Sequence, residues 1–223
     1  MNIKYQYNKI GKDYVAHQRK FFRNEEKVTA MDFILKNVPS LQGKTVLDFG
    51  CGHGAVFKLL EKKRAKRVFG IDVSETMIKE ARKFLNQEKN LSVEDIQKTH
   101  FPKAFFDVVV GRFALHYLDS FDKAYKEISR ILKPGGTLIF IVNHPFGDSE
   151  KKSSKNYWEK ENIVRKLYKG KVVITYPTHT FEEYFSPVFL KYFSLASFEE
   201  GVSPEAQTKK TLPDYFAVKA VKK

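Results

Sequence analysis

Between Lys44 and Gly54 a short run of strand formers, Thr45-Val-Leu-Asp-Phe49, breaks into alternate glycines, Gly50-Cys51-Gly52-His53-Gly54. Valine, threonine and phenylalanine favour the pleated backbone. Glycine admits the left-handed conformations that a sharp turn out of a strand requires. Val56, Leu59 and Leu60 then follow at helical spacing. A strand that turns on glycines into a helix brings the unpaired N–H groups of a helix N-terminus beside backbone that a ligand can approach closely. Such a turn suits a ligand carrying a carboxylate or a phosphate.

The rest of the chain repeats this unit. Arg67-Val-Phe-Gly-Ile-Asp72 predicts a second strand. Ser74 is an N-cap for a helix whose one face carries Met77, Ile78, Ala81, Phe84 and Leu85. Leu91 to Asp95 is a weak third strand, and Phe106-Asp-Val-Val-Val110 a fourth, apolar enough to be buried on both faces. Phe121, Ala124, Tyr125, Ile128, Ile131 and Leu132 mark a helix ended by Pro134-Gly135-Gly136, and Thr137 to Val142 is a fifth strand. Alternating strands and helices imply right-handed crossovers, hence a Rossmann-like, mostly parallel sheet with helices on both faces.

Outside this stretch the pattern changes. The first forty residues read as helical, with Val28, Met31, Ile34, Leu35 and Val38 at helical spacing and Pro39 as a stop. Residues 143–180 mix charges, aromatics and a β-branched stretch from Lys171 to Tyr176. Phe181 to Tyr192 reads as a helix that Pro187 interrupts or bounds. Phe193–Phe198 and Tyr215–Val221 read as final strands. We expect one domain over residues 1–223, with 1–40 as a helical cap and 143–192 as an insertion or cap on the substrate side.

Composition narrows the class. Hydrophobic residues are 42% and charged residues 30% of the chain, values of a packed globular protein. No apolar run approaches the ~20 residues of a membrane helix. The first twelve residues lack an apolar signal core, and the single cysteine, Cys51, rules out an intrachain disulfide framework. A cytoplasmic protein is the expectation. The formal net charge is +14. That charge reads either as attraction to an anionic partner such as nucleic acid or as lysines spread evenly for solubility, and their even spread favours the second. No histidine or cysteine pairing has the spacing of a metal site.

The glycines alone also satisfy the dinucleotide pattern, through Gly50, Gly52 and Ala55. Four neighbours argue for another ligand. Asp48 stands just before the first glycine, where it would repel a pyrophosphate but accept an ammonium group. Asp72 ends the second strand about 20 residues on, where a carboxylate takes ribose hydroxyls. Ser74 and Met77 open the next helix beside an adenine face. Asp95-Ile96 follows the third strand, where a carboxylate can accept an adenine amino group.

Val46-Leu-Asp-Phe-Gly-Cys-Gly-His-Gly-Ala55 closely resembles the first motif of class I S-adenosylmethionine-dependent methyltransferases. Ile71-Asp-Val-Ser-Glu-Thr-Met77 resembles their second motif, Phe106–Val110 with Ala114-Leu-His-Tyr-Leu118 their fourth, and Ile131-Leu-Lys-Pro-Gly-Gly-Thr-Leu138 the segment before their fifth strand. Tyr5, Ile10 and Tyr14 look like the cap helix of the small-molecule branch that includes quinone-biosynthesis enzymes. The tail segment Thr175 to Tyr184 weakly resembles that branch too. The resemblance covers about residues 40–143. It implies a seven-stranded sheet with the last strand antiparallel and S-adenosylmethionine as cofactor. It implies a cofactor site drawn from Tyr14, Asp48, Gly50, Cys51, Gly52, Gly54, Asp72, Val73, Met77, Asp95, Ile96 and Arg112. Arg112 stands where the family commonly has a small residue, and His179 where the branch often has arginine.

The implied reaction is a one-step displacement at the methyl carbon. It needs positioning and water exclusion more than a dedicated catalytic group. His116, after the fourth strand, and His144, after the fifth, are the candidates for handling a proton, with Tyr14 as a lid over the cofactor. Cys51 reads as a small loop filler and His53 as a solvent-facing loop residue. Trp158 with Tyr157 reads as a packing pair under a lid. Phe181, Phe185, Phe189 and Phe193 read as core or an apolar substrate wall. A small-molecule acceptor is the main expectation. A nucleic-acid methyltransferase, a nicotinamide-dependent oxidoreductase and a non-catalytic cofactor-binding protein are the alternatives.

Overall fold

The sheet is built around β1 (Thr45–Phe49), which is buried almost throughout and pairs in parallel with β2 (Arg67–Asp72) on one side and β4 (Phe106–Arg112) on the other. The computed structural model describes residues 3–21, 30–86, 90–168, 170–202 and 212–223. From β1 the chain runs outward through α3 (Ala55–Lys62), β2, α4 (Glu75–Leu85) and β3 (Leu91–Val93). It then returns across the sheet to β4, α5 (Asp122–Ile131) and β5 (Leu132–Asn143). The last two strands, β8 (Phe193–Gly201) and β9 (Tyr215–Lys222), complete the order β3-β2-β1-β4-β5-β9-β8. The final strand, β9, is antiparallel to both neighbours, as the family resemblance implied.

Side-chain alternation along the central strands gives each face its own core. Leu47, Phe49 and Val109 pack with α5, α7 (Phe181–Tyr184) and α8 (Pro187–Tyr192). Val46, Val108 and Val110 pack with α2 (Met31–Asn37), α3 and α4. Val28, expected in the α2 stripe, lies outside the described residues. Pro187 sits in the first turn of α8, so the stretch from Phe181 to Tyr192 is two short helices, not one. The missing N–H and fixed φ of proline suit a helix start and not its interior.

Residues 143–180 form α6 (Pro145–Ser149) and a separate antiparallel hairpin of β6 (Asn162–Leu167) and β7 (Val172–Pro177). The β-branched stretch became β7; its partner strand had no clear signal. The hairpin meets α1 (Ile3–Phe21). The Gln6 amide donates to the Thr175 carbonyl at 2.9 Å and accepts from the Thr175 N–H at 2.8 Å, completing the strand's edge. On its other side α1 is clasped to α4: Asn8 accepts from the Ser74 hydroxyl at 2.7 Å, and the Asn8 carbonyl from the Thr76 hydroxyl at 3.1 Å. No helix among the described residues is long and apolar enough to cross a membrane.

Candidate functional site

The strand order reverses direction between β1 and β4, and in an open α/β sheet the crevice at such a point lies beyond the carboxyl ends of the strands. A cavity of about 980 Å³, counted with its open mouth, occupies this position under α1. Its floor is the glycine turn. Gly50 has φ +61°, and a Cβ there would stand 2.3 Å from the Ala114 Cβ, so only glycine lets the turn pass under the segment leaving β4. Asp72 ties this turn to β2: its carboxylate accepts from the N–H of Gly52 at 3.0 Å and of Ser74 at 2.9 Å. Burial outweighs these two bonds and raises the Asp72 pKa to about 6.

Asp48, 1% exposed, leaves its Oδ2 atom without a hydrogen-bond partner. Burial pushes its pKa well above the ordinary carboxylate value, against the Phe57 N–H and the Arg112 charge, with the Asp72 charge adding to the rise. Arg112 lines the same cavity, its guanidinium 5.0 Å from the Phe113 ring centroid. A buried acceptor and a partly buried cation so placed match the ammonium and carboxylate of an α-amino acid. Farther out, Met77, Asp95 and Ile96 line the end beyond β2 and β3. The Asp95 carboxylate accepts from the backbone N–H of Gln97 at 2.8 Å. Cys51 is buried, and burial raises its thiol pKa well above the usual value, so it is a neutral filler.

Eleven of the expected cofactor residues thus line one cavity: Tyr14, Asp48, Gly50, Cys51, Gly52, Asp72, Val73, Met77, Asp95, Ile96 and Arg112. Gly54 does not line it. It faces the helix behind, where an added Cβ would meet Leu85 at 2.7 Å, and its φ of +91° starts α3.

The two histidines expected to handle a proton are also elsewhere. His144 is fully buried; its Nδ1 accepts from the Phe146 N–H at 3.2 Å as the cap of α6, and its Nε2 meets Glu200 at 2.7 Å. Both nitrogens are engaged, one in capping α6 and the other in tying the segment after β5 to β8, and the ring does not line the cavity. His116 is 2% exposed, packed 4.2 Å from the Tyr117 ring and 5.2 Å from that of Tyr176. Burial holds its pKa well below the usual histidine value, so it is a neutral packing ring whose neighbours, Tyr117 and Leu118, reach the cavity instead.

Other expectations shift as well. His53 is buried, edge-on to Phe84 at 5.6 Å, and does not face solvent. Trp158 is 72% exposed and not covered by a lid. The four phenylalanines from Phe181 to Phe193 belong to the core, and none lines the cavity. His179 is buried, donating to the His116 carbonyl at 3.2 Å.

Sequence reasoning missed Ile3, Tyr7 and Gln18 of α1, and Glu94, Tyr117 and Leu118, all of which line the cavity. The α1 group had a signal: positions 3, 7, 14 and 18 fall on one helical stripe. Among the described residues, no group of three His, Cys, Asp or Glu is placed to hold a metal ion.

The chain is similar to known proteins in sequence and in fold. Residues 47–140 match the model of the methyltransferase domain family. The demethylmenaquinone methyltransferase of Lactococcus lactis subsp. lactis is 35% identical over 118 residues, 50% of this chain and 47% of that protein. The chain spans about half the length of the curated relatives it matches. A candidate S-adenosylmethionine-dependent methyltransferase from Listeria monocytogenes superposes with TM-score 0.71 at 27% identity, over 86% of this chain and 97% of that one. A methyltransferase of the same dependence from Mesorhizobium loti gives TM-score 0.71 at 22% identity, over 88% and 99%.

Proposed function

Because residues 47–140 are a methyltransferase domain of the class I, S-adenosylmethionine-dependent type, we propose that this chain binds that cofactor in the cavity under α1 and transfers its methyl group to a small-molecule acceptor. The observation that carries the reading is the grouping of Asp48, Arg112 and Asp72 in one cavity. An unpartnered buried carboxylate oxygen, a partly buried guanidinium and a second carboxylate at the next strand end complement, in turn, an ammonium, a carboxylate and a sugar diol. No simple dinucleotide needs the first two.

In this reading Asp48 accepts from the cofactor's ammonium and Arg112 pairs with its carboxylate. Gly50, Cys51 and Gly52 offer close backbone, and Gly54 sets the turn that begins α3. Asp72 exchanges its bond to the Gly52 N–H for ribose hydroxyls, with Val73 beside it. Met77 and Ile96 flank the adenine and Asp95 accepts from its amino group. Tyr14 covers the cavity from α1. When bound, the cofactor supplies a methyl group on a positively charged sulfur, already a strong electrophile.

The chain's own task is to hold the acceptor in line and keep water out, which contributes on the order of 7 kcal/mol when alignment is good. Residues 1–40 and 143–192 belong with the core to one methyltransferase domain, in which α1 and the β6–β7 hairpin close the acceptor side. Isothermal titration calorimetry tests the proposal: S-adenosylhomocysteine binds with one site per chain and NAD does not. No heat with either S-adenosylmethionine or its demethylated product, in folded protein, would refute it.

A further inference from the structure

Where α1 covers the cavity, the wall is built of tyrosines. Tyr7 stands edge-on to Tyr14, with ring centroids 5.4 Å apart, and edge-on to Tyr117 at 5.7 Å. The Tyr7 and Tyr117 hydroxyls share a hydrogen bond of 2.7 Å. Two phenols own two protons, and the shared bond uses one. Whichever hydroxyl donates, the other keeps a proton for a third group, and the bond it receives strengthens that donor. Tyr14 behaves alike: its oxygen accepts from the Gln18 amide at 3.0 Å, which leaves its proton to give.

This wall offers donors and no base. Among the described residues that α1 and segment 112–118 give to the cavity, none is a carboxylate or an imidazole. Burial, first of all, keeps Tyr7, Tyr14 and Tyr117 protonated. Two partly buried guanidinium groups stand near: Arg112 in the cavity, and Arg165 of β6, which donates to Asn143 at 2.7 Å. Both charges act on Tyr14, and that of Arg165 on Tyr117. The carboxylates whose charges reach the tyrosines, Asp72 on Tyr7 and Tyr14 and Asp148 on Tyr117, accept from other groups: Asp72 from two backbone N–H groups, and Asp148 from Lys151 and the Tyr176 hydroxyl, while Asp48, Glu94 and Asp95 also line the cavity.

Resting on the cofactor reading above, we propose that the Tyr7–Tyr117 pair cradles an acceptor that arrives already deprotonated, as a small phenolate, enolate or carboxylate. The electron pair of that anion forms the bond to the methyl carbon while the C–S pair returns to sulfur. No proton has to pass to the protein, which accounts for the absence of a base on this wall. The orienting donor is one O–H of the pair, and either tyrosine alone supplies it.

The test uses the complex with S-adenosylhomocysteine, whose neutral sulfur leaves any preference for anions to the wall itself. 4-Nitrophenol, acetylacetone and benzoate are titrated by absorbance and calorimetry at pH values on either side of each probe's own pKa. At least one binds, with the anion favoured over its neutral form by about tenfold or more. Tyr7→Phe and Tyr117→Phe each keep that preference, because each retains one free hydroxyl. The double variant drops it below about threefold, measured at S-adenosylhomocysteine concentrations that saturate each variant. Binding of none of the probes, equal binding of neutral forms by the wild-type chain, or a double variant that keeps the preference overturns the proposal. Failure of the cofactor reading shows earlier and separately, as no S-adenosylhomocysteine binding at all.

Discussion

The floor and the tyrosine wall of one cavity are held by opposite means. The floor is tied together within a short stretch of chain: Asp72 reaches back 20 positions to Gly52 and forward two to Ser74. The wall is gathered from far apart. Tyr7 meets Tyr117 across 110 positions, and Gln6 meets Thr175 across 169. A turn fixed by local backbone bonds is specified wherever its motif occurs. A wall that depends on docking a helix to a hairpin opens at lower free energy. The floor therefore suits a ligand that never changes, and the wall one that must enter, differ among relatives and leave.

The sharpest way to break this contrast is to strain the floor. Gly50→Ala forces a methyl group onto Ala114 at a positive φ. The combined clash and backbone strain cost about 3 kcal/mol, read as a lower midpoint in urea denaturation. Gly52→Ala, also at positive φ but with nothing within 4 Å of the added Cβ, costs about 1 kcal/mol. Equal losses would mean that the close passage under Ala114 does not fix the turn.

Asp72 gives the next largest effect, with a pH signature. Its folded pKa of about 6 lies above the ordinary aspartate value of 3.8. The folded chain therefore holds a proton that the unfolded chain has lost. Stability from this group is present below about pH 4 and is lost as pH rises through 6. Binding runs the other way, because ribose hydroxyls prefer the ionised carboxylate. S-adenosylhomocysteine affinity falls roughly tenfold between pH 7 and pH 5. Asp72→Asn weakens it about tenfold or more at pH 7 and flattens the pH dependence. An unchanged affinity at pH 7 would remove Asp72 from the sugar contact.

The same contrast explains what could be read from the sequence. Strand, glycine turn and helix each leave a local signature, so the parallel part of the sheet and the floor residues from Asp48 to Ile96 were legible, whereas the antiparallel last strand followed only from the family resemblance. Gly54 was placed one layer too close because a glycine needed for φ looks in sequence like one needed for ligand approach. His116 and His144 were misplaced for a related reason. Position after a strand end puts a residue near the crevice, but which way the ring turns depends on partners 56 or more positions away, such as Glu200 for His144. The tyrosine wall was only half visible. Tyr14 came from the cap-helix resemblance, whereas Tyr7 and Tyr117 become neighbours only when α1 docks.

The smallest effect tests that docking directly. Gln6 pairs through both ends of its amide with the Thr175 backbone at the free edge of β7. Gln6→Ala removes two hydrogen bonds of ordinary strength, about 1–2 kcal/mol in all, and leaves an edge N–H and C=O to water. Hydrogen exchange in α1 and β7 rises by roughly tenfold, while exchange at the floor stays within about twofold. S-adenosylhomocysteine affinity changes little, because Asp48, Asp72 and Arg112 do not touch Gln6. Its dissociation accelerates, because the helix over the cavity opens more often. If exchange at the floor rises in step with α1, the two regions open as one unit, and the division between a fixed floor and a movable wall fails.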